Sequence, residues 1–443
     1  MKKLVAFLIS LAIVLAFFAI TENATQKYIE SKYFNAMGDV LNEVKYRSLP
    51  LQQEAIREGN NLLIFGSSEL DKNQHPFHPS HFFANMREGF QPEIIGKAGY
   101  KSIIHALDFG ALGKKLSGQK VAFVLSPQWF KKGGMDILTF HATYSEEMFY
   151  AFMSNNTLSS STKKEMARRI LSITGNVDKY DEAKVNSKHG KVRQARINVP
   201  QVRTFTKIDI GNIEDLKLIR TYCSLYLKND IVSKVEFAVI KPYFVIREYL
   251  LGVRDYFKSL KVLIQSKLSL SQNKSTKPQS AYINWNEERA SAVSYGECVA
   301  NDNPFGIDND FYDRNIAAKF KLFKGTYKGL SYSHSSEYTD LKLLFDICKD
   351  EGIKPLIISV PVNGWWYDYC GFSKEDRQFY YKRVRDMAKS YGFEFADFSN
   401  HEYDKYFLKD DQHIGYKGWV DVNESLVKYY NGYKQQNKRE FPA

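Results

Sequence analysis

Cysteine is scarce in this chain. The four in 443 residues are Cys223, Cys298, Cys348 and Cys370. No two stand at the C-x-x-C spacing of a zinc knuckle or a thiol redox pair. That excludes a zinc-ribbon or thioredoxin-like reading and leaves small buried residues as their default role. An exported chain could pair some of them, and the sequence does not say which. Nucleic-acid signatures are missing too: there is no RNP block and no zinc-finger spacing. No internal repeat is present. Acidic residues fall short of basic ones, 50 Asp and Glu against 62 Lys and Arg, for a net charge of +12. A basic surface favours polyanions, whether nucleic acid, anionic lipid or a cell-wall phosphate polymer. A merely soluble basic protein is the plain alternative, and location must narrow the choice.

Long apolar runs are also rare, and the clearest stands at the N-terminus. Lys2 and Lys3 precede an almost purely apolar stretch from Leu4 to Ile20. At a helical rise of ~1.5 Å per residue it spans roughly 25 Å, close to the ~30 Å hydrocarbon core of a bilayer. The positive-inside rule puts Lys2 and Lys3 in the cytoplasm and the rest of the chain outside. A cleaved signal peptide is the rival reading. The apolar region is long for one, and no A-x-A site stands directly after it. The expectation is a single-pass cell-membrane protein with a retained signal-anchor, its folded part extracellular.

What is present is an α/β rhythm at both ends of the remaining chain. Asn61 to Phe65 reads as a buried strand, Glu93 to Ile95 as a second and Lys120 to Ser126 as a third, with a helix over 102–116 before the last. Continuous apolar strands separated by helices predict a parallel sheet covered on both faces. From about Lys131 to His334 the pattern is mixed. The stretches 145–154 and 161–173 look helical, 181–204 is polar and basic, and 269–280 is a polar linker. The amphipathic stretch 235–264 is interrupted by Pro242, expected to start or break a helix. Its Lys and Arg residues argue against a second membrane span. The rhythm returns with a helix over 337–349, a strand in KPLIISVPVNG, a helix capped by Ser373, a strand in FEFADFS and a final helix to about Tyr430. The expected organisation is an anchor (1–21), a connector (22–59), an α/β core in two parts (60–130 and 335–443) and an insertion (131–334).

Four short blocks lie just past the strands. In NLLIFGSSEL, Ser68 lies beyond a strand end, where ligands of open α/β sheets bind. Alone, the pair Ser67–Ser68 reads equally as a helix cap. In KDDQHIGYKGW, Asp410 stands three residues before His413. That spacing lets a carboxylate hold the imidazole Nδ1–H while Nε2 takes a proton from a serine. Asp411 is the competing carboxylate, and a surface turn is the plain alternative. In GKAGYKS, Gly99 offers a backbone N–H that a ligand can approach closely. In SPQWF, Gln128 carries an amide able to donate to an oxyanion. Each of the last two is an ordinary loop residue when taken alone. His75, His78 and His81 suggest a metal, but Pro76 and Pro79 break the helix that would align them, and no carboxylate completes a ligand set. Trp365 and Trp366 come after a strand end and either line a binding site there or pack against the insertion.

Taken in order, the blocks Ser, Gly, amide and D-x-x-H resemble the SGNH/GDSL hydrolase superfamily. Two departures stand out: Ser67 replaces the usual Asp, and SPQW replaces G-x-N-D. Adding HPFHP (75–79), NPFGI (303–307), VPVNGWWYDY (360–369) and the N-terminal anchor, nearly the whole chain resembles the DltD family. The resemblance implies a three-layer α/β/α SGNH-like fold with a parallel sheet, a large mostly helical insertion and one N-terminal transmembrane helix. It also implies a Gram-positive, outward-facing membrane protein that puts D-alanine on lipoteichoic acid alongside the membrane O-acyltransferase DltB and the carrier protein DltC. On that resemblance Ser68 is the nucleophile, Asp410 and His413 complete a triad, and Gly99 and Gln128 form the oxyanion hole. Trp129, Trp365, Trp366 and His75 are, beside it, the candidate substrate contacts, with a structural role as their alternative. No cofactor or metal is called for. The alternatives are an SGNH esterase or thioesterase that hydrolyses acyl groups, and a non-catalytic scaffold for the carrier or the acyltransferase.

Overall fold

A computed structural model of the chain describes residues 45–57, 61–70, 75–85, 89–175, 213–265 and 283–440, with a few isolated positions before residue 45. The expected anchor, most of the connector, the basic stretch 181–204 and the linker 269–280 lie outside the described residues. Among the described residues no helix is long and apolar enough to cross a membrane.

Among the described residues five strands form one parallel sheet: β1 (Asn61–Gly66), β2 (Gln91–Gly96), β3 (Lys120–Leu125), β4 (Leu356–Ser359) and β5 (Glu394–Asp397), in the order β2-β1-β3-β4-β5. β1 is buried along its whole length, which is why its sequence runs apolar without alternating. Its side chains still divide by face. Leu63 and Phe65 join one apolar cluster, Leu62 and Ile64 the other.

Helices cover both faces. On the first lie α1 (Leu49–Arg57), α3 (Ser102–Leu112), α10 (Glu337–Glu351) and α12 (Lys374–Ser390). On the second lie α2 (Pro79–Asn85), α9 (Trp285–Val299) and α13 (Tyr416–Glu440). The end signals work as read: Ser373 Oγ accepts the Asp376 N–H at 3.1 Å, and α10 stops at Gly352. Between α11 (Gly364–Cys370) and α12 the chain turns back onto the first face.

The middle of the chain is helical where it is described. α4 (Ile137–Thr143), α5 (Glu146–Ser154), α6 (Ser160–Ile173), α7 (Ile213–Leu227) and α8 (Ile231–Gln265) precede α9. α5 packs on α3, α8 packs on α5, α7 and α1, and α9 packs on α13. The mixed pattern thus resolves into helices that extend the two helical layers. Pro242 neither starts nor breaks a helix; it sits inside α8. The neighbouring turns of α8 pack Phe244 and Leu251 into the core, and that packing carries the helix across the lost hydrogen bond.

Candidate functional site

The strand order sets the location. The chain runs from β1 outward to β2, then crosses back to β3 on the other side of β1. The reversal opens a crevice at the carboxyl ends of β1 and β3, where open α/β sheets bind ligands. The loops after β1, β2 and β3 carry Ser68, Gly99 and Gln128, so all three stand on one sheet edge.

The end of β1 is compressed. Gly66 and Gly96 are register partners, and a Cβ on Gly96 would strike the Gly66 carbonyl. Beyond Gly66 the chain enters a short 3-10 turn, Ser68–Leu70. Ser67 secures that turn. Its N–H donates to Glu69 Oε1 at 2.6 Å and its Oγ to the Lys97 carbonyl at 3.2 Å, while its carbonyl accepts the Leu70 N–H at 3.1 Å. The departure from the usual Asp therefore falls on a buried residue that ties the β1 turn to the β2 loop. Ser68 alone of the pair points its hydroxyl outward.

That hydroxyl meets His413. Ser68 Oγ lies 2.7 Å from His413 Nε2, across 345 residues of chain. His413 is carried by a narrow hairpin closed by the Leu408–Ile414 bridge and by the Lys409 N–H donating to the His413 carbonyl at 3.0 Å. Inside the hairpin, Asp410 Oδ2 lies 2.7 Å from His413 Nδ1. Asp410 Oδ1 accepts the backbone N–H groups of Gln412 at 3.0 Å and His413 at 2.8 Å. Burial works against the Asp410 charge, but the His413 imidazole and the two N–H donors outweigh it and hold the carboxyl at about 2. Burial likewise disfavours a charged His413, and the Asp410 carboxylate overcomes it, raising the imidazole above its ordinary 6.5. The arrangement stabilises an imidazolium and leaves the neutral ring ready to take the Ser68 proton. Of the two neighbouring acidic residues, Asp410 has its carboxylate on the His413 ring, and the Asp411 backbone carbonyl accepts the Asn363 N–H at 3.0 Å.

The remaining residues divide between the crevice rim and the core. Gly99 sits in the turn after β2 with φ +89°, a conformation that other residues adopt only with strain. Gln128 is half-buried in the 3-10 turn Pro127–Phe130 just past β3. Trp129 is buried, its ring 5.9 Å from Phe123 and 6.2 Å from His105. Trp366 is also buried, edge-on to Phe305 at 5.1 Å and Phe323 at 5.2 Å. Trp365 is half-buried against Tyr403 at 5.7 Å. The two tryptophans thus part: Trp366 packs in the core, and Trp365 stays near the surface. His75 is buried with its ring 5.2 Å from Tyr416. Burial, reinforced by Lys409, lowers it to about 3, so it is a neutral ring. His78 is buried against Trp419 and bonded to Ser80 Oγ at 2.7 Å. Among the described residues no group of three or more side chains is arranged to hold a metal. Cys223, Cys348 and Cys370 are buried thiols and Cys298 is an exposed one.

Two supports had no sequence signal. Tyr416 donates to Asp308 Oδ1 at 2.7 Å, and the Asp308 N–H donates to the Lys409 carbonyl at 2.8 Å, so the segment after NPFGI braces the His413 hairpin. Arg377 is fully buried and bonds Glu402, Asp368 and the Phe372 carbonyl, each at 2.9 Å. The Glu402 carbonyl in turn accepts the Gly364 N–H at 2.7 Å. An arginine in a charged amphipathic helix reads as solvent-facing, and only the packed structure reveals its partners.

A family model described as DltD protein matches residues 38–207 and 207–431. Protein DltD of Bacillus subtilis (strain 168) is 32% identical over 403 residues, 91% of each chain. Protein DltD of Staphylococcus aureus (strain NCTC 8325 / PS 47) is 27% identical over 388 residues, 87% of this chain and 85% of that one. Protein DltD of Lacticaseibacillus rhamnosus is 25% identical over 379 residues, 85% of this chain and 78% of that one.

Proposed function

This chain belongs to the DltD family, and from that premise we propose that it transfers D-alanyl groups to lipoteichoic acid through a D-alanyl-serine intermediate on Ser68. The reading rests on one observation above the rest: the run of hydrogen bonds from Ser68 Oγ to His413 to Asp410, at 2.7 Å and 2.7 Å. Two adjacent short contacts of this kind, at a switch-point crevice, make a serine nucleophile with its base and orienting carboxylate. His413 Nε2 removes the Ser68 proton as Oγ attacks the acyl carbonyl. The proton passes to the departing alcohol or thiol, leaving the D-alanyl ester on Ser68. A polyol hydroxyl of the acceptor then gives its proton to His413 and attacks the ester carbonyl. Ser68 Oγ departs and recovers the proton. The backbone N–H groups of Gly99 and Ser68 and the Gln128 amide stabilise the oxyanion in both steps.

The same proposal places the protein at the outer face of the cell membrane, held by the 1–21 anchor, with DltB and DltC as its partners on the donor side. The excess of basic residues suits a polyanionic acceptor. The test uses Ser68→Ala and His413→Ala in cells or reconstituted membranes, with D-alanine ester on teichoic acid as the readout. Both variants are expected to lose it, and unchanged ester content in both would sink the catalytic reading. An adduct on Ser68 that glycerol phosphate polymer discharges faster than water marks a transferase; discharge by water alone marks a hydrolase.

A further inference from the structure

Helix α8 (Ile231–Gln265) has two apolar faces. One packs inward through Phe237, Phe244 and Leu251. At about 100° per residue the opposite side carries Val232, Val235, Val239, Ile246, Leu250 and Phe257. These succeed one another at intervals of three, four or seven, the repeat of a single helical stripe. All six are exposed, by 44% to 75%. Single exposed apolar residues need no explanation, but six on one side of a helix do, with only Val253 among the stripe positions buried. It runs roughly 38 Å at ~1.5 Å per residue, so the surface that covers it is long and straight.

Its composition selects the occupant. The stripe is mainly aliphatic, and an exposed basic row, Arg254, Lys258 and Lys261, runs along one flank of its C-terminal half. Protein interfaces concentrate aromatic residues and are poor in lysine. Aliphatic side chains beside a row of lysine and arginine are the pattern of a helix lying in a membrane surface, with the long cationic side chains reaching up to the headgroups. The point of chain entry agrees. The described body begins at Lys45, and Ser48 Oγ lies 3.5 Å from Ser259 Oγ of α8. The connector from the expected anchor therefore enters the fold beside this helix. We propose that the outward stripe of α8 lies on an anionic lipid bilayer and holds the catalytic body flat against the membrane that anchors it. The proposal rests on the anchored, outward-facing placement of the chain under Proposed function.

The test uses the full chain with Cys298→Ser, since the other three cysteines are buried. An environment-sensitive fluorophore is placed singly at Val239→Cys, Ile246→Cys or, as a solvent control, Lys382→Cys, and the protein is reconstituted in phosphatidylglycerol-containing vesicles. Expected are a blue shift, quenching by nitroxide-labelled lipid and loss of iodide quenching at 239 and 246, with the 382 label unchanged. Labels at 239 and 246 that stay open to iodide, while the protein resists extraction by alkaline carbonate, overturn the proposal. So does protection that appears in detergent as protein concentration rises, which marks a second copy, or protection that requires a membrane protein in the vesicles. If carbonate releases the chain, the anchor reading fails separately. The released chain is then mixed with the same vesicles: binding abolished by Val235→Glu, Val239→Glu and Ile246→Glu together supports the stripe, and no binding overturns it.

Discussion

Replacing Asp410 with asparagine removes one charge and almost no volume, and the site geometry determines its effect. The amide oxygen can keep the Gln412 and His413 N–H groups that Asp410 Oδ1 accepts now. The amide NH₂ then occupies the position of Oδ2 and faces His413 Nδ1. It can only donate there, so Nδ1 becomes an acceptor and the ring proton moves to Nε2. Nε2–H faces Ser68 Oγ and cannot take its proton. A triad in the wrong tautomer loses about 10⁴ in turnover, which corresponds to roughly 5.5 kcal/mol of barrier. The same change removes the attraction that lifts His413 above 6.5, leaving the burial that lowers it. Stability shifts as well. The Asp410 carboxyl is held at about 2 against its ordinary 3.8, a gap worth on the order of 2 kcal/mol. Because the folded value is the lower one, that contribution is present above pH 3.8 and is lost as the pH falls toward 2. Urea unfolding of Asp410→Asn is therefore expected to show about 2 kcal/mol less stability than the parent at pH 7, with the difference closing on acidification. The assay pairs D-alanyl transfer from a soluble ester donor with nitrogen-15 NMR of the His413 ring. Turnover within tenfold of the parent, or an unmoved His413 titration, would refute the tautomer argument.

Transfer by the parent should fall on the acid side with an apparent pKa above 6.5, because a neutral His413 is needed and Asp410 raises it over the opposing effect of burial; a limb below 6.5 would contradict this. Gln128→Ala should lower turnover by about 10²- to 10³-fold with little change in KM, and an unaffected rate would remove Gln128 from the oxyanion site. Arg377→Ala leaves buried Glu402 without its cationic partner, with only the Tyr381 hydroxyl still donating to its Oε1, and should cost about 3–5 kcal/mol in urea denaturation; a loss under about 1 kcal/mol would show that the network relaxes. Glu337 is pushed up from 4.5 to about 7 by burial and by Asp340, so its charging opposes folding as the pH rises from 4.5 through 7. Glu337→Gln keeps an acceptor for the Ser102 N–H and should gain up to roughly 3 kcal/mol at pH 8 and nothing below pH 4.5, measured by thermal unfolding at both pH values.

The sheet was largely legible because its strands are buried on both faces and read as apolar runs. β1 matches the run beginning at Asn61, and β3 the run beginning at Lys120. β2 extends beyond Glu93–Ile95 to Gln91 and Gly96, since Gln91 and Pro92 pair with β1 without looking like strand residues. The spacing of Asp410 and His413 pointed to a bond that the hairpin geometry now displays. Pro242 misled because local propensity says nothing of the packing that holds α8 together. Trp129 stands just past a strand end yet turns inward, and Trp366 takes the second of its two readings, packing against Phe305 and Phe323 of the 131–334 stretch. The roles of Asp308 and Arg377 depend on contacts between segments distant in sequence, which no local pattern encodes.

Ser68 lies in the first strand–turn of the folded body, and its base lies in the last hairpin. A chain emerging N-terminus first from a ribosome or a translocation channel therefore carries an inert serine through almost its whole length. Fragments ending anywhere before Asp410 keep the hydroxyl and lack any means of activating it. On the proposed mechanism the order of the elements along the chain thus acts as a timer on reactivity: Ser68 gains its base only once the chain has emerged past His413 and that hairpin has closed on the β1 turn.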